Sequence, residues 1–150
     1  MAIDVYYFRL LHAVIEREFT NRMAGQAPAT ACLSYPDLLV SLQDIEALVG
    51  QSVADQLVLA KYSEEVRRVH GLSPTFGPLY ETDSLLTAMG LQATYFDIAK
   101  IRGRETILDL NFPLPPHLIG SYDLVIDTGT LEHCFNVGVA FKSMCDLAVC

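Results

Sequence analysis

Hydrophobic residues set two rhythms along this chain: three- to four-residue spacing over roughly its first ninety positions, and short continuous runs after them. From Asp4 to about Met23, Val5, Phe8, Leu11, Ala13, Val14, Ile15 and Phe19 recur mostly at three- and four-residue spacing, which predicts an amphipathic helix over 4–23 packed on a sheet. Gly25 to Pro28 break it. Thr30-Ala-Cys-Leu33 reads as a first, buried strand, and Ser34-Tyr-Pro-Asp37 as a turn, because proline fixes φ and aspartate can bond its own backbone. Ser41 is placed to cap a helical stretch that closes at Gly50, and a further helical pattern runs from Val53 to about Val69 and ends at His70-Gly71. Two prolines and two glycines make 71–79 a loop, so 41–79 reads as a mainly helical insertion. Thr82 and Asp83 can cap a helix carrying Leu85, Leu86 and Met89, which stops at Gly90 in the usual C-terminal glycine position.

The later runs are Gln92-Ala-Thr-Tyr-Phe96, Glu105-Thr-Ile-Leu108 and Tyr122-Asp-Leu-Val-Ile126, each followed by an aspartate. Runs of this kind suit strands buried on both faces of a parallel sheet. The prolines of 111–117 bar that segment from a central strand or a helix interior. After Asn136, in position to act as an N-cap, Val137 to Val149 returns to helical spacing. The order of elements predicts an α/β fold: a partial doubly wound, mainly parallel sheet of about four strands with flanking helices. A chain of 150 residues suits one domain spanning 1–150.

Composition narrows the function classes. An apolar fraction of 51% with 19% charged residues fits a buried sheet and not a disordered chain. A net charge of -8, with basic residues scattered except for Lys100 to Arg104, argues against nucleic acid as a partner. Cys32, Cys134, Cys145 and Cys150 have no C-x-x-C spacing and read as reduced, mostly buried thiols with no metal expected, a zinc site or a disulfide framework being the lesser alternative. The start lacks a basic signal-peptide region and no apolar stretch approaches ~20 residues, so a cytoplasmic protein with no membrane partner is the expectation.

In open α/β sheets ligands bind outside the carboxyl ends of strands, which predicts one crevice near Asp97, Asp109 and Asp127. Carboxylates there can accept hydrogen bonds from ribose hydroxyls or an exocyclic amine, as a nucleoside ligand would need. Asp97 and Asp109 can instead serve only to cap loops, though two acids at two strand ends in this order favour binding; Asp127 can equally fix a loop or contact the ligand.

The segments Tyr95-Phe-Asp-Ile98, Leu108-Asp-Leu-Asn111 with Leu114-Pro-Pro116, and above all Tyr122-Asp-Leu-Val-Ile-Asp-Thr-Gly-Thr-Leu-Glu-His-Cys-Phe-Asn136, carry a likeness over about residues 80–148. They resemble a class I S-adenosylmethionine-dependent methyltransferase, from its second strand into the helix after its fourth. The likeness implies a Rossmann-like sheet, S-adenosylmethionine as cofactor and a small-molecule or sugar-like acceptor. It implies that Asp97, with Ile98 beside it, holds the ribose hydroxyls, and that Asp109 holds the adenine amine with Leu110 against the ring. Asp127, Thr128, Gly129 and Thr130 would line the methionine end, and Glu132 and His133 would lie beside the reacting centre. His133 is the natural proton acceptor, its ordinary pKa being near 6.5; the plainer role for Glu132 and His133 is to satisfy backbone groups before a helix. Cys134 reads as packing, and His12, His70 and His117 as surface or packing residues.

The family's glycine-rich first loop has no counterpart here. The candidate positions are Leu33-Ser-Tyr-Pro-Asp37, without glycine, and Thr75-Phe-Gly-Pro78, with one. The family orders its strands 3-2-1-4-5-7-6, and this chain runs out after the helix following the fourth, so the expectation is a truncated domain with a bare apolar edge, open to self-association. A second reading is a methyltransferase-like binding module that has lost catalysis along with its glycine loop. A nicotinamide-dependent oxidoreductase is disfavoured, because no G-x-G-x-x-G joins a strand to a helix.

Overall fold

The computed structural model describes residues 1–19 and 26–149. In chain order the elements are β1 (Ala2–Asp4), α1 (Val5–Glu18), β2 (Ala29–Leu33), β3 (Asp37–Leu39), α2 (Leu42–Val49), α3 (Gln51–Ala54) and α4 (Ser63–His70). They continue with α5 (Thr82–Ala88), β4 (Gln92–Asp97), β5 (Thr106–Ile107), β6 (Leu124–Asp127) and α6 (Val137–Leu147). The chain divides into two units: Met1, Ala27–Pro36 and Leu91–Cys150 form one, Ala2–Gln26 and Asp37–Gly90 the other.

The first unit holds a four-stranded sheet in the order β5-β4-β2-β6, every pair parallel. Numbered by its own strands that order is 3-2-1-4, the partial doubly wound, Rossmann-like arrangement. Leu33 pairs with Phe96 on one side and Asp127 on the other, and Asp97 pairs with Ile107, so the carboxyl ends of all four strands lie along one edge. Ala31, Leu33, Phe96, Leu108, Leu110, Leu114, Ala140 and Leu147 form a buried cluster that seats α6 on one face. Phe96 and Tyr122 meet edge to face at 5.7 Å within this layer.

Several boundaries differ from the sequence reading, each for a local reason. Glu105 is not in a strand: its carboxylate is buried and accepts the N–H groups of Arg102 (2.7 Å) and Arg104 (3.0 Å), closing the loop before β5. Tyr122 does not extend β6, because Asp123 turns to β2 through its N–H to the Ala29 carbonyl (2.8 Å) and its carboxylate to the Ala29 N–H (2.9 Å). Tyr122 instead makes a parallel bridge to Ala148, so the outer edge of β6 is met at its start by the residues after α6 and is not bare along its whole length. Asn136 occupies the N-cap position of α6 without capping it, since its side chain reaches the Asn111 carbonyl (3.4 Å).

The second unit has its own core of Ile3, Phe8, Leu38, Val40, Ile45 and Leu85. In it β1 and β3 pair in parallel, two three-residue strands that periodicity did not reveal. Helix α1 begins at Val5 with Asp4 accepting the Tyr7 N–H (2.8 Å), and it buries Phe8, Leu11 and Ile15, Phe8 within the core of this unit. The expected continuation of that helix to Met23 lies outside the described residues. Ser41 caps α2 as its position implies, accepting the Asp44 N–H (3.1 Å). The helical pattern from Val53 to Val69 is broken: Leu59 forms an antiparallel bridge to Tyr80, flanked by Ala60 N–H to the Leu79 carbonyl (2.9 Å) and Glu81 N–H to the Val58 carbonyl (2.8 Å). No helix among the described residues is long and apolar enough to cross a membrane.

Candidate functional site

The order of strands reverses across β2, between β4 and β6, and loops at such a point diverge and leave a crevice. A cleft of about 190 Å³ opens there. It is below the roughly 300–1,000 Å³ of sites that enclose a drug-sized ligand, and matches one end of such a ligand. Phe96, Leu108 and Leu110 supply its apolar wall, and Asp97, Asp109 and Asn111 its polar groups from the ends of β4 and β5. Met1, Thr130, His133 and Cys134 close the side formed by the loop after β6, and Ile98 forms an exposed rim.

Asp97 and Asp109 each hold the turn that follows them. Asp97 Oδ1 accepts the Ala99 N–H (3.2 Å), and Asp109 Oδ1 accepts both the backbone N–H (2.9 Å) and the side-chain amide (2.8 Å) of Asn111. Loop capping and facing the cleft therefore coexist at both residues, one carboxylate oxygen serving the turn.

The residues assigned to the methionine end separate. Thr130 lines the cleft, whereas Asp127, Thr128 and Gly129 do not. Asp127 Oδ1 accepts the N–H groups of Gly129 (3.1 Å) and Thr130 (2.7 Å), an Asx turn that shapes the loop. Gly129 takes φ 115, a conformation L side chains avoid, so glycine is the residue the turn admits. Thr130 Oγ1 lies 2.6 Å from the Leu33 carbonyl and 2.9 Å from Met1 Sδ, tying this loop to the end of β2; its one proton can serve only one acceptor at a time. The Thr128 hydroxyl is buried without a partner among the described residues.

His133 lines the cleft and Glu132 does not. Their side chains face each other at 3.6 Å, both largely in solvent. Cys134, which the sequence assigns to packing, packs partly against the sheet core and also lines the cleft, its thiol 3.6 Å from the Thr130 carbonyl. Partial burial, with the negative charges of Asp109 and Asp127 adding to it, pushes this thiol above its ordinary value of 9.0. It therefore stays protonated near neutrality and is a poor nucleophile.

At the end of β2, the position of the family's glycine-rich loop, Ser34 sits at φ 74, the one non-glycine at positive φ among the described residues. Its N–H is committed to the Phe96 carbonyl (2.6 Å), and Pro36 has none to offer. The loop thus adopts a glycine-like backbone at one residue without a row of free N–H donors.

Met1, Phe96, Leu108 and Asn111 were not singled out from sequence. Phe96 and Leu108 immediately precede the two strand-end aspartates, and Asn111 follows Asp109 at the spacing of an Asx turn, so their positions carried a signal. Met1 had none. No three His, Cys, Asp or Glu side chains gather as metal ligands would among the described residues. Comparison with known proteins yields no matching family model, no matching curated protein and no matching solved structure.

Proposed function

We propose that the cleft binds the nucleoside end of S-adenosylmethionine and that the chain is a methyltransferase, or the cofactor-binding part of one, acting on a small-molecule acceptor. The observation that carries this reading is the placement of Asp97 and Asp109, each beside an apolar residue, Ile98 and Leu110, on one cleft at the carboxyl ends of adjacent parallel strands. A carboxylate at the first can accept ribose hydroxyls and one at the second an exocyclic amine, while Leu110 and Phe96 offer apolar surface to a base. The cofactor, when bound, supplies an electrophilic methyl group. The protein then needs chiefly to position and to exclude water. His133, at the cleft mouth, is the group available to take a proton from a hydroxyl or amine acceptor.

The amino-acid end of the cofactor fits less well. With Ser34 N–H engaged and Pro36 lacking a donor, this loop offers a carboxylate little of the backbone cradle that a glycine-rich turn provides. That observation favours a second reading, a binding module on the same fold that retains the nucleoside cleft without transferring methyl groups.

Titration calorimetry with S-adenosylmethionine and S-adenosylhomocysteine tests both readings. Binding is expected, weakened about tenfold or more by Asp97→Ala, in line with loss of charge-assisted hydrogen bonds. Absence of heat, or binding indifferent to Asp97, overturns the nucleoside reading. Binding with no methyl transfer to any of a panel of hydroxyl, amine and thiol acceptors selects the second.

A further inference from the structure

We infer that Asn111 is a positioning residue that makes the cleft selective for a base bearing an exocyclic amine; this rests on the nucleoside reading of the cleft. Asp109 Oδ1 is saturated by two donors from Asn111, its backbone N–H at 2.9 Å and its amide Nδ2 at 2.8 Å. Oδ2 has no partner among the described residues, and Asp109 lines the cleft. A carboxylate held this way presents one oxygen as an acceptor and cannot donate; Asp109 is exposed, so a ligand N–H gains a charge-assisted bond there and a ligand lacking it forgoes that bond.

Asn111 is itself held from a second direction. Its Oδ1 accepts the Asn136 N–H (3.0 Å), and its carbonyl accepts Asn136 Nδ2 (3.4 Å). The amide therefore has a fixed sense: oxygen to Asn136, nitrogen to Asp109. Asn136 lies just before α6 and just after the turn that carries His133 and Cys134. One side chain thus links the strand-end carboxylate on one side of the cleft to the loop on the other, and an orientation error at Asn111 reaches Asp109 directly.

The test is calorimetric binding of adenosine and of purine riboside, which lacks the 6-amino group, to the full chain and to Asn111→Ala. The wild-type chain is expected to prefer adenosine by about tenfold, the scale of one well-made hydrogen bond to a charged group. Asn111→Ala is expected to lose most of that ratio through weaker adenosine binding, with purine riboside changed less than about twofold. Asn111→Asp keeps an oxygen for the Asn136 N–H but removes the side-chain donor to Asp109, leaving only the backbone N–H, and the same collapse of the ratio in this variant keeps the test open if the alanine variant unfolds. Equal affinity of the wild-type chain for both ligands overturns the inference while leaving the nucleoside reading intact. So does a variant in which both affinities fall together, the signature of a purely structural role. No binding of adenosine by the wild-type chain overturns the nucleoside reading and the inference with it.

Discussion

Two residues, one just after β2 and one lining the cleft, carry energetic signatures that can be measured without knowing the ligand. Ser34 holds a left-handed backbone conformation that costs an L-residue about 1–2 kcal/mol and glycine almost nothing. Relief of that strain outweighs the extra unfolded-state entropy of glycine, so Ser34→Gly should stabilise the protein by about 0.5–1 kcal/mol. The check is a higher denaturant midpoint at an unchanged m-value; a lower midpoint would mean that the serine side chain contributes more than its backbone costs. Cys134 is the second. Its folded-state pKa is raised by burial and by Asp109 and Asp127, so the folded protein holds the thiol proton more tightly than the unfolded chain does. The sign follows: its contribution to stability is intact below 9.0 and is lost as pH climbs through the raised value. Alkylation of Cys134 by iodoacetamide, followed by peptide mass spectrometry, should accelerate only at a pH above that of the urea-unfolded chain. Asp109→Asn should move the profile toward lower pH, and coincident profiles for native and unfolded chain would refute the assignment.

Elements were legible from sequence in proportion to how much of their stability is local. Helix α2 carries its own stop and start signals, Ser41 and Gly50, and Gly90 closes the segment after α5 at φ 82. Three apolar runs, each reaching an aspartate, announced β4, β5 and β6, although only part of β4 and β6 is buried and both residues of β5 are exposed. By contrast β1 and β3 are three residues each, too short for any period, and exist because each finds the other in space. The bridge of Leu59 to Tyr80 is of the same kind: helical spacing around it was real, but backbone bonds to the 79–81 segment, with Ser84 Oγ accepting the Val58 N–H (3.0 Å), hold it extended. The site divides likewise. Asp97 and Asp109 were readable because strand ends are readable, whereas the role of Asn111 depends on Asn136, which only the tertiary fold brings near. Asp127 had two readings from sequence, ligand contact and loop fixing, and its Oδ1 bonds to the Gly129 and Thr130 N–H groups supply the loop-fixing one.

At the scale of the whole molecule, neither unit is a continuous stretch of chain, since Met1, Ala27–Pro36 and Leu91–Cys150 alternate with the two segments of the other unit. The sheet depends on this interleaving: β2 pairs with β4 on one side and β6 on the other, and Thr30, Ala31, Cys32 and Leu33 are almost wholly buried. A fragment spanning 91–150 retains β4, β5, β6 and α6 but leaves β4 and β6 without the strand between them. Circular dichroism of that fragment should show no cooperative thermal transition, and a sharp melt from it would show that the sheet does not need β2. The same central position has a consequence during synthesis. The strand at Ala29–Leu33 leaves the ribosome first, yet its neighbours begin only at Gln92 and Leu124, so at roughly 5–20 residues per second it waits several seconds for the first of them. Throughout that interval the nascent chain exposes the segment that will end up deepest in the sheet. Folding to the native topology is therefore paced by translation and favoured by anything that shields this stretch until Gln92–Asp97 has emerged.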